Sequence, residues 1–237
     1  MRPLFALAVT LALAAAPTAA QQPGLPIDAS RLTPHRDSLA VFVGGQPRGA
    51  SVLQLQKRGD TLVVTELTSI GTVMRQETTV RLDAAGRVQQ VHQTGVIRDA
   101  QASIDIRYIA GHVTGQVQAV TAEGPKQVAV DTVVPPGTVD DNALQALLPS
   151  LPWAEGASWT FPMFSAGSGT LSEMQLTVMA VETVMVPAGA FEAYRVNLTG
   201  GATEVTFLIM KKAPHTVLKV ETVGAPIKFE YVSGSTP

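Results

Sequence analysis

The sequence predicts an all-β protein: a large curved antiparallel meander or open half-barrel, with one helix in or against its concave face. Three observations predict it. From Ser38 onward, apolar and polar residues alternate with period two over short runs, the pattern of antiparallel strands with one dry and one wet face. Those runs are separated by Gly, Pro and Asp turn residues. Only residues 139–148 carry apolar residues at helical spacing, whereas a parallel sheet would need a helix at every crossover. The charged fraction of 15% lies below the usual quarter, and Thr, Val and Gln, common in strands or on their wet faces, fill the gap. So many strands must curl, close or split, so a closed barrel and two packed sheets are the alternatives.

At the N-terminus, Arg2 precedes an unbroken apolar run over residues 4–16, then Pro17-Thr18-Ala19-Ala20. A positive start, an apolar stretch and small residues make a secretory signal peptide over 1–20, with cleavage expected after Ala20. The run is too short for the roughly 20 residues that span a bilayer. The mature chain is therefore expected to be exported, periplasmic or extracellular and soluble, with no transmembrane segment. With no cysteine in the chain, there is no lipid-modified residue at the cleavage site, no disulfide framework and no thiolate for metal binding or catalysis. Residues 21–37, with Pro23, Pro26 and Pro34, read as a flexible leader. Residues 38–237 read as one β domain.

In its first half, Leu53 and Leu55 alternate with Gln54 and Gln56, and Arg58-Gly59-Asp60 turns the chain into the next strand at 61–67. Val80 and Leu82 share a parity opposite Arg75, Glu77, Thr79 and Arg81. Asp83-Ala84-Ala85-Gly86 is a hairpin turn, and Ile104, Ile106 and Tyr108 oppose Ser103, Asp105 and Arg107. The strand expected at 127–134 ends at Pro135-Pro136-Gly137. Next comes the predicted helix, 139–148. Asp140 and Asp141 lie at its start, where the helix dipole favours negative charge, and Pro149 and Pro152 stop it. Strands resume at 159–164, at 170–186 with a bend, at 191–199 with Tyr194, Val196 and Leu198 on one face, and at 202–210. Two more follow at 216–223 and 227–233.

Charge and motifs exclude several functions. The 17 basic residues become 16 once Arg2 is removed, against 19 acidic ones, so the mature chain is near neutral. No basic stripe suggests nucleic acid, and the Lys211-Lys212 pair is no polybasic membrane patch. The histidines His35, His92, His112 and His215 have no ligand spacing, so no metal is expected. Asp140-Asp141 fits helix capping better than acid–base catalysis, because adjacent helical residues point about 100° apart. Ser165-Ala166-Gly167-Ser168-Gly169 lacks the first glycine of a nucleophile elbow, and no phosphate-binding loop is present. Arg58-Gly59-Asp60 reads as a turn. Asn197-Leu198-Thr199 fits a glycosylation acceptor but falls within a strand. No catalytic residue and no cofactor is expected.

One enrichment remains. Aromatic and methionine residues crowd the second half, and such surfaces adapt to varied apolar ligands. Trp159, Phe161, Met163, Phe164, Met174 and Met179 are the candidate ligand-binding residues, alongside their plainer reading as core. Met174, Leu176, Val178 and Ala180 share one parity of their strand, and Met179, Val181 and Thr183 the other.

From residue 139 to the C-terminus the chain resembles a family of exported bacterial proteins, domain of unknown function 3108. The residues that carry the resemblance are Asp140-Asp141 opening a helix that ends in Leu147-Leu148-Pro149, the strand entry Gly156-x-x-Trp159-Thr160-Phe161-Pro162, the segment Pro187-Ala188-Gly189-x-Phe191-x-x-Tyr194, and strands around Ala213-Pro214-His215 and 227–232. The N-terminal meander fits more loosely. The resemblance implies a curved antiparallel sheet with a helix in its concavity, similar to lipoprotein carriers of the Lol type, and brings no catalytic residues with it. The expected function is an exported, non-catalytic envelope protein that binds an apolar or lipid-like ligand on the curved sheet. The alternative is a structural module that meets an envelope protein, and a hydrolase ranks third.

Overall fold

The computed structural model describes residues 24–235; the signal peptide expected at 1–20 lies outside them. Among the described residues, one 15-stranded sheet dominates, with a single short α-helix. The first eight strands are β1 (His35–Val43), β2 (Gln46–Arg58), β3 (Thr61–Ile70), β4 (Met74–Leu82), β5 (Val88–Ile97), β6 (Ala100–Ile109), β7 (His112–Thr121) and β8 (Gly124–Val133). Each pairs antiparallel with the next, as the alternation predicts. Tight turns set the registers. Arg98-Asp99, between β5 and β6, and Gly44-Gly45, between β1 and β2, all have positive φ, the twist that suits two-residue hairpins. At the longer β4–β5 turn, Asp83 accepts from the Ala85 and Arg87 amides, each at 2.9 Å, and from Arg87 Nε at 2.7 Å.

The chain then leaves the edge strand β8 and crosses to the opposite end of the sheet. There lie β9 (Val139–Asp140), α1 (Asp141–Leu147) and a 3-10 turn, Leu148–Ser150. The helix is shorter than the sequence suggests at both ends: Val139 and Asp140 pair parallel with the following strand, and Pro149 continues the tighter turn rather than ending it. From β10 (Ser158–Ser165) the meander runs back through β11 (Thr170–Val186), β12 (Gly189–Thr199), β13 (Val205–Met210), β14 (Val217–Thr222) and β15 (Ile227–Ser235), which closes on β1. The sheet order is therefore β8 to β1, then β15 to β9, and its two end strands do not pair. It is a curved, open sheet, with β8 and β9 as its edges.

Bulges bend it, at Ser38/Leu39, Arg81/Leu82, Val178/Ala180 and Leu208/Ile209. The curvature brings both halves around one core. Leu55, Leu82 and Ile106 from the first half meet Phe161, Phe164 and Leu176 from the second, with Ala143, Leu144 and Leu147 of α1 filling the concavity between them. At roughly 1.5–3 kcal/mol per large apolar side chain, this burial is the main force holding the halves together. Residues 24–34, read from sequence as part of a flexible leader, are docked here. Leu32 is buried in the same core, and Leu25 and Ile27 pack against it.

A second, smaller core lies on the other side of the sheet. Phe207 and Ile209 face the main core, whereas Leu208 between them joins Val184, Val186, Ala193 and Leu218. The long β11–β12 hairpin extends past β10 and folds over this face, and the Ala188 amide donates to the Tyr231 carbonyl at 3.2 Å. Phe191 meets the Tyr231 ring edge-on, with centroids 6.4 Å apart.

Candidate functional site

The six candidate ligand-binding residues do not form an open groove. Phe161, Phe164 and Met174 are buried in the main core, and Phe161 and Met174 are cross-strand partners. Trp159 and Met163 are half-buried and pack against the same core. Trp159 meets Trp153 edge-on, and Trp153 stacks on Tyr194 and donates from Nε1 to the Leu148 carbonyl at 2.9 Å. Met179 stands apart, 57% exposed. It is the extra residue of the β11 bulge, where pairing passes from Val178 directly to Ala180. The bulge shifts the alternation by one, so Val181 rather than Ala180 turns to the main core. A strict parity count across 170–186 misses that shift.

Asp140 caps α1, as its position predicts, by accepting from the Asn142 amide at 2.9 Å. Its second role is not legible locally. Fully buried, it also accepts from the Tyr108 hydroxyl of β6 at 2.5 Å. Burial, then the neighbouring Asp141 charge, pushes its pKa up to about 7, against the hydrogen bonds from Tyr108 and Asn142 that favour the carboxylate. Burial and the same two carboxylates push the Tyr108 hydroxyl far up as well. Asp141 turns the other way, accepting from Ser165 Oγ at 2.7 Å and the Ala166 amide at 3.3 Å. The two carboxyls thus serve two different anchors, and among the described residues no cluster of three His, Asp or Glu could hold a metal.

The cavity with the most defined chemistry lies elsewhere, with a volume of about 320 Å³. It opens where residues 31–37 cross the β13–β14 turn and the end of β15. Leu32, Pro149, Met210 and Pro214 give it an apolar wall. Its polar end holds His35, Asp37 and Tyr231. Asp37 and Tyr231 converge on Gly234, where a Cβ would run into the Asp37 carboxyl and the Tyr231 hydroxyl. Glycine is what leaves room for both. His35 Nδ1 lies 2.8 Å from the Thr33 carbonyl, and Nε2 lies 3.6 Å from Asp37 Oδ2. Burial raises the Asp37 pKa, partly offset by His35. Burial, then the Asp37 charge, raises that of Tyr231. In the sequence His35 falls within the expected leader at 21–37, because nothing near it in the chain announces Tyr231, Met210 or Gly234. Only the β1–β15 pairing unites them.

The arrangement can hold a small molecule with an apolar body and a polar end. At about 320 Å³ it falls at the lower limit of small-molecule sites, which run from roughly 300 to 1,000 Å³. Among the described residues, no helix is long and apolar enough to cross a membrane.

No curated protein sequence matches the chain. Among solved structures, it is similar to a β-barrel-like protein of the domain of unknown function DUF1849 from Brucella abortus. The TM-score is 0.57 at 11% identity, over 87% of this chain and 99% of that one, a likeness of fold alone. A Bacteroides fragilis protein with a YmcC-like fold aligns over 86% of this chain and 96% of its own, at 10% identity with a TM-score of 0.31. A family model extends the sequence resemblance back through the N-terminal meander, matching residues 41–231, and by this match the chain belongs to the family of proteins of unknown function DUF3108.

Proposed function

We propose that the protein is an exported, non-catalytic binding module of the cell envelope, holding a small amphipathic molecule in the cavity beside Tyr231. The observation that carries this reading is the cavity itself, whose lining combines the apolar Leu32, Pro149, Met210 and Pro214 with the polar His35, Asp37 and Tyr231. Export is supported by the apolar run at 4–16 with the small residues after it. The concave face of the sheet is occupied by α1 and the main core, which favours this cavity over that face as the ligand site. The test is native mass spectrometry of the protein after incubation with a whole-cell extract of lipids and small metabolites. A reproducible small-molecule adduct that a Thr216→Trp variant loses supports the reading, since Thr216 lines the cavity. A bare chain in both samples sinks it.

A second reading, docking of an envelope protein, is favoured by the free edge of β8, where Val128 and Val133 are exposed. A partner that co-purifies with the protein and is lost on Val133→Lys would support it.

A further inference from the structure

Asp37 sits on the cavity wall with its side chain 16% exposed. Among the described residues, it accepts no hydrogen bond from any donor. The side-chain nitrogen that approaches it is His35 Nε2, at 3.6 Å beyond hydrogen-bond length. The guanidinium in the cavity lining is already engaged. Arg31 Nε lies 3.1 Å from Asp28 Oδ2, and its Nη1 donates to the Leu151 carbonyl at 3.3 Å.

The His35 ring is oriented by the same local chain. A backbone carbonyl can only accept, so the contact with the Thr33 carbonyl at 2.8 Å places a hydrogen on Nδ1. In the neutral imidazole, Nε2 then presents a lone pair toward Asp37. Tyr231 Oη, which meets the same space over Gly234, has lone pairs as well. The polar end is thus a converging set of acceptors: a carboxylate, an imidazole nitrogen and a phenol oxygen. The apolar part of the lining, Leu32, Pro149, Met210 and Pro214, takes a hydrocarbon body.

We propose that the cavity selects small organic cations, primary amines carrying a short apolar body, with the ammonium group donating to Asp37, His35 Nε2 and Tyr231 Oη. An ammonium brings three donors and no acceptor, which matches three acceptors. A carboxylate or phosphate would meet the Asp37 charge. A neutral alcohol offers one donor for three positions. This assignment of ligand class rests on the cavity being the binding site.

The experiment titrates the protein, with 13C-methyl-labelled methionine, against 2-phenylethylamine, 2-phenylethanol and phenylacetate, following the Met210 methyl resonance on the cavity wall. The expected result is that the amine moves the Met210 signal with a Kd at least tenfold below that of the alcohol, that phenylacetate leaves it unmoved, and that Asp37→Asn removes the amine preference. Tyr231→Phe, which keeps the ring and removes one acceptor, weakens the amine severalfold and leaves the alcohol unchanged, and it serves where the Asp37 variant does not fold. Equal affinity for amine and alcohol, or preference for phenylacetate, overturns the cation assignment while leaving the cavity as a binding site. If none of the three moves the Met210 signal, the assignment and the cavity reading fall together.

Discussion

The Tyr108 hydroxyl donates to the Asp140 carboxyl across 2.5 Å, tying the middle of the N-terminal meander to the N-cap of the helix that opens the C-terminal one. Tyr108 also meets Phe164 edge-on, with centroids 6.3 Å apart. One tyrosine therefore ties β6 to the α1 cap and to β10, neither of which the sheet hydrogen-bonds to β6, whereas Asp140 and Phe164 already pair with each other.

Because the folded state holds Asp140 at a pKa of about 7, against about 3.9 in an unfolded chain, it binds a proton that the unfolded state releases. The associated stability is complete below about pH 4 and is lost as pH rises through 7, a change on the order of a few kcal/mol. Asp140→Asn keeps an amide oxygen for the cap and has no proton to lose. Urea unfolding of the variant between pH 4.5 and 8 is expected to lack the decline that the parent shows over that range. An unchanged slope would assign the decline to other groups.

Tyr108→Phe retains the ring contact and deletes the donor. It leaves one Asp140 oxygen buried without a partner, at a cost of about 1–3 kcal/mol. The loss should be greater at pH 8 than at pH 5, since the missing hydrogen bond favours the ionised carboxyl. Denaturant midpoints at both pH values check it.

Two aromatic or methionine positions that look alike in sequence should behave oppositely. Phe164, with no exposed surface, sits between the halves, and Phe164→Ala should cost about 3–5 kcal/mol. Met179, exposed at the β11 bulge, should tolerate alanine within about 0.5 kcal/mol. Thermal melts of the two variants distinguish a core from a ligand surface directly.

The segment around Phe191 seals the second core over β13 and β14. Phe191→Ala should raise amide hydrogen exchange in residues 182–193 by an order of magnitude or more while leaving β2–β6 protected, because that core is small and peripheral. Uniform loss of protection would show that the two cores unfold as one.

At Gly234 the constraint is space. Gly234→Ala is expected to fold, since its neighbours are side-chain ends that can move, yet to displace the Asp37 carboxyl and the Tyr231 hydroxyl. Binding of 2-phenylethylamine should fall at least tenfold in a titration followed at Met210, with the melting temperature little changed.

The alternation of Ile104, Ile106 and Tyr108 against Ser103, Asp105 and Arg107 is local, and the strand formed by these residues matches it. The same logic found α1 and the turn at Asp83. The placement of His35 beside Tyr231 was beyond it, because their contact depends on a strand pairing almost 200 residues apart in sequence. Nor did any local signal mark residue 179 as a bulge, since an inserted residue changes parity without changing composition.

The sequence by itself determined the fold class, the antiparallel pairing of successive strands, the short helix and the capping role of Asp140, all consequences of periodicity and turn chemistry within a few residues. The tertiary structure alone decided which apolar face was filled. Sheet curvature closed α1 and both halves over Phe161, Phe164 and Met174, while β1–β15 pairing opened a smaller cavity where the sequence suggested a leader. Curvature and closure sum many small twists and bulges over the whole chain, and no short window of residues carries that sum.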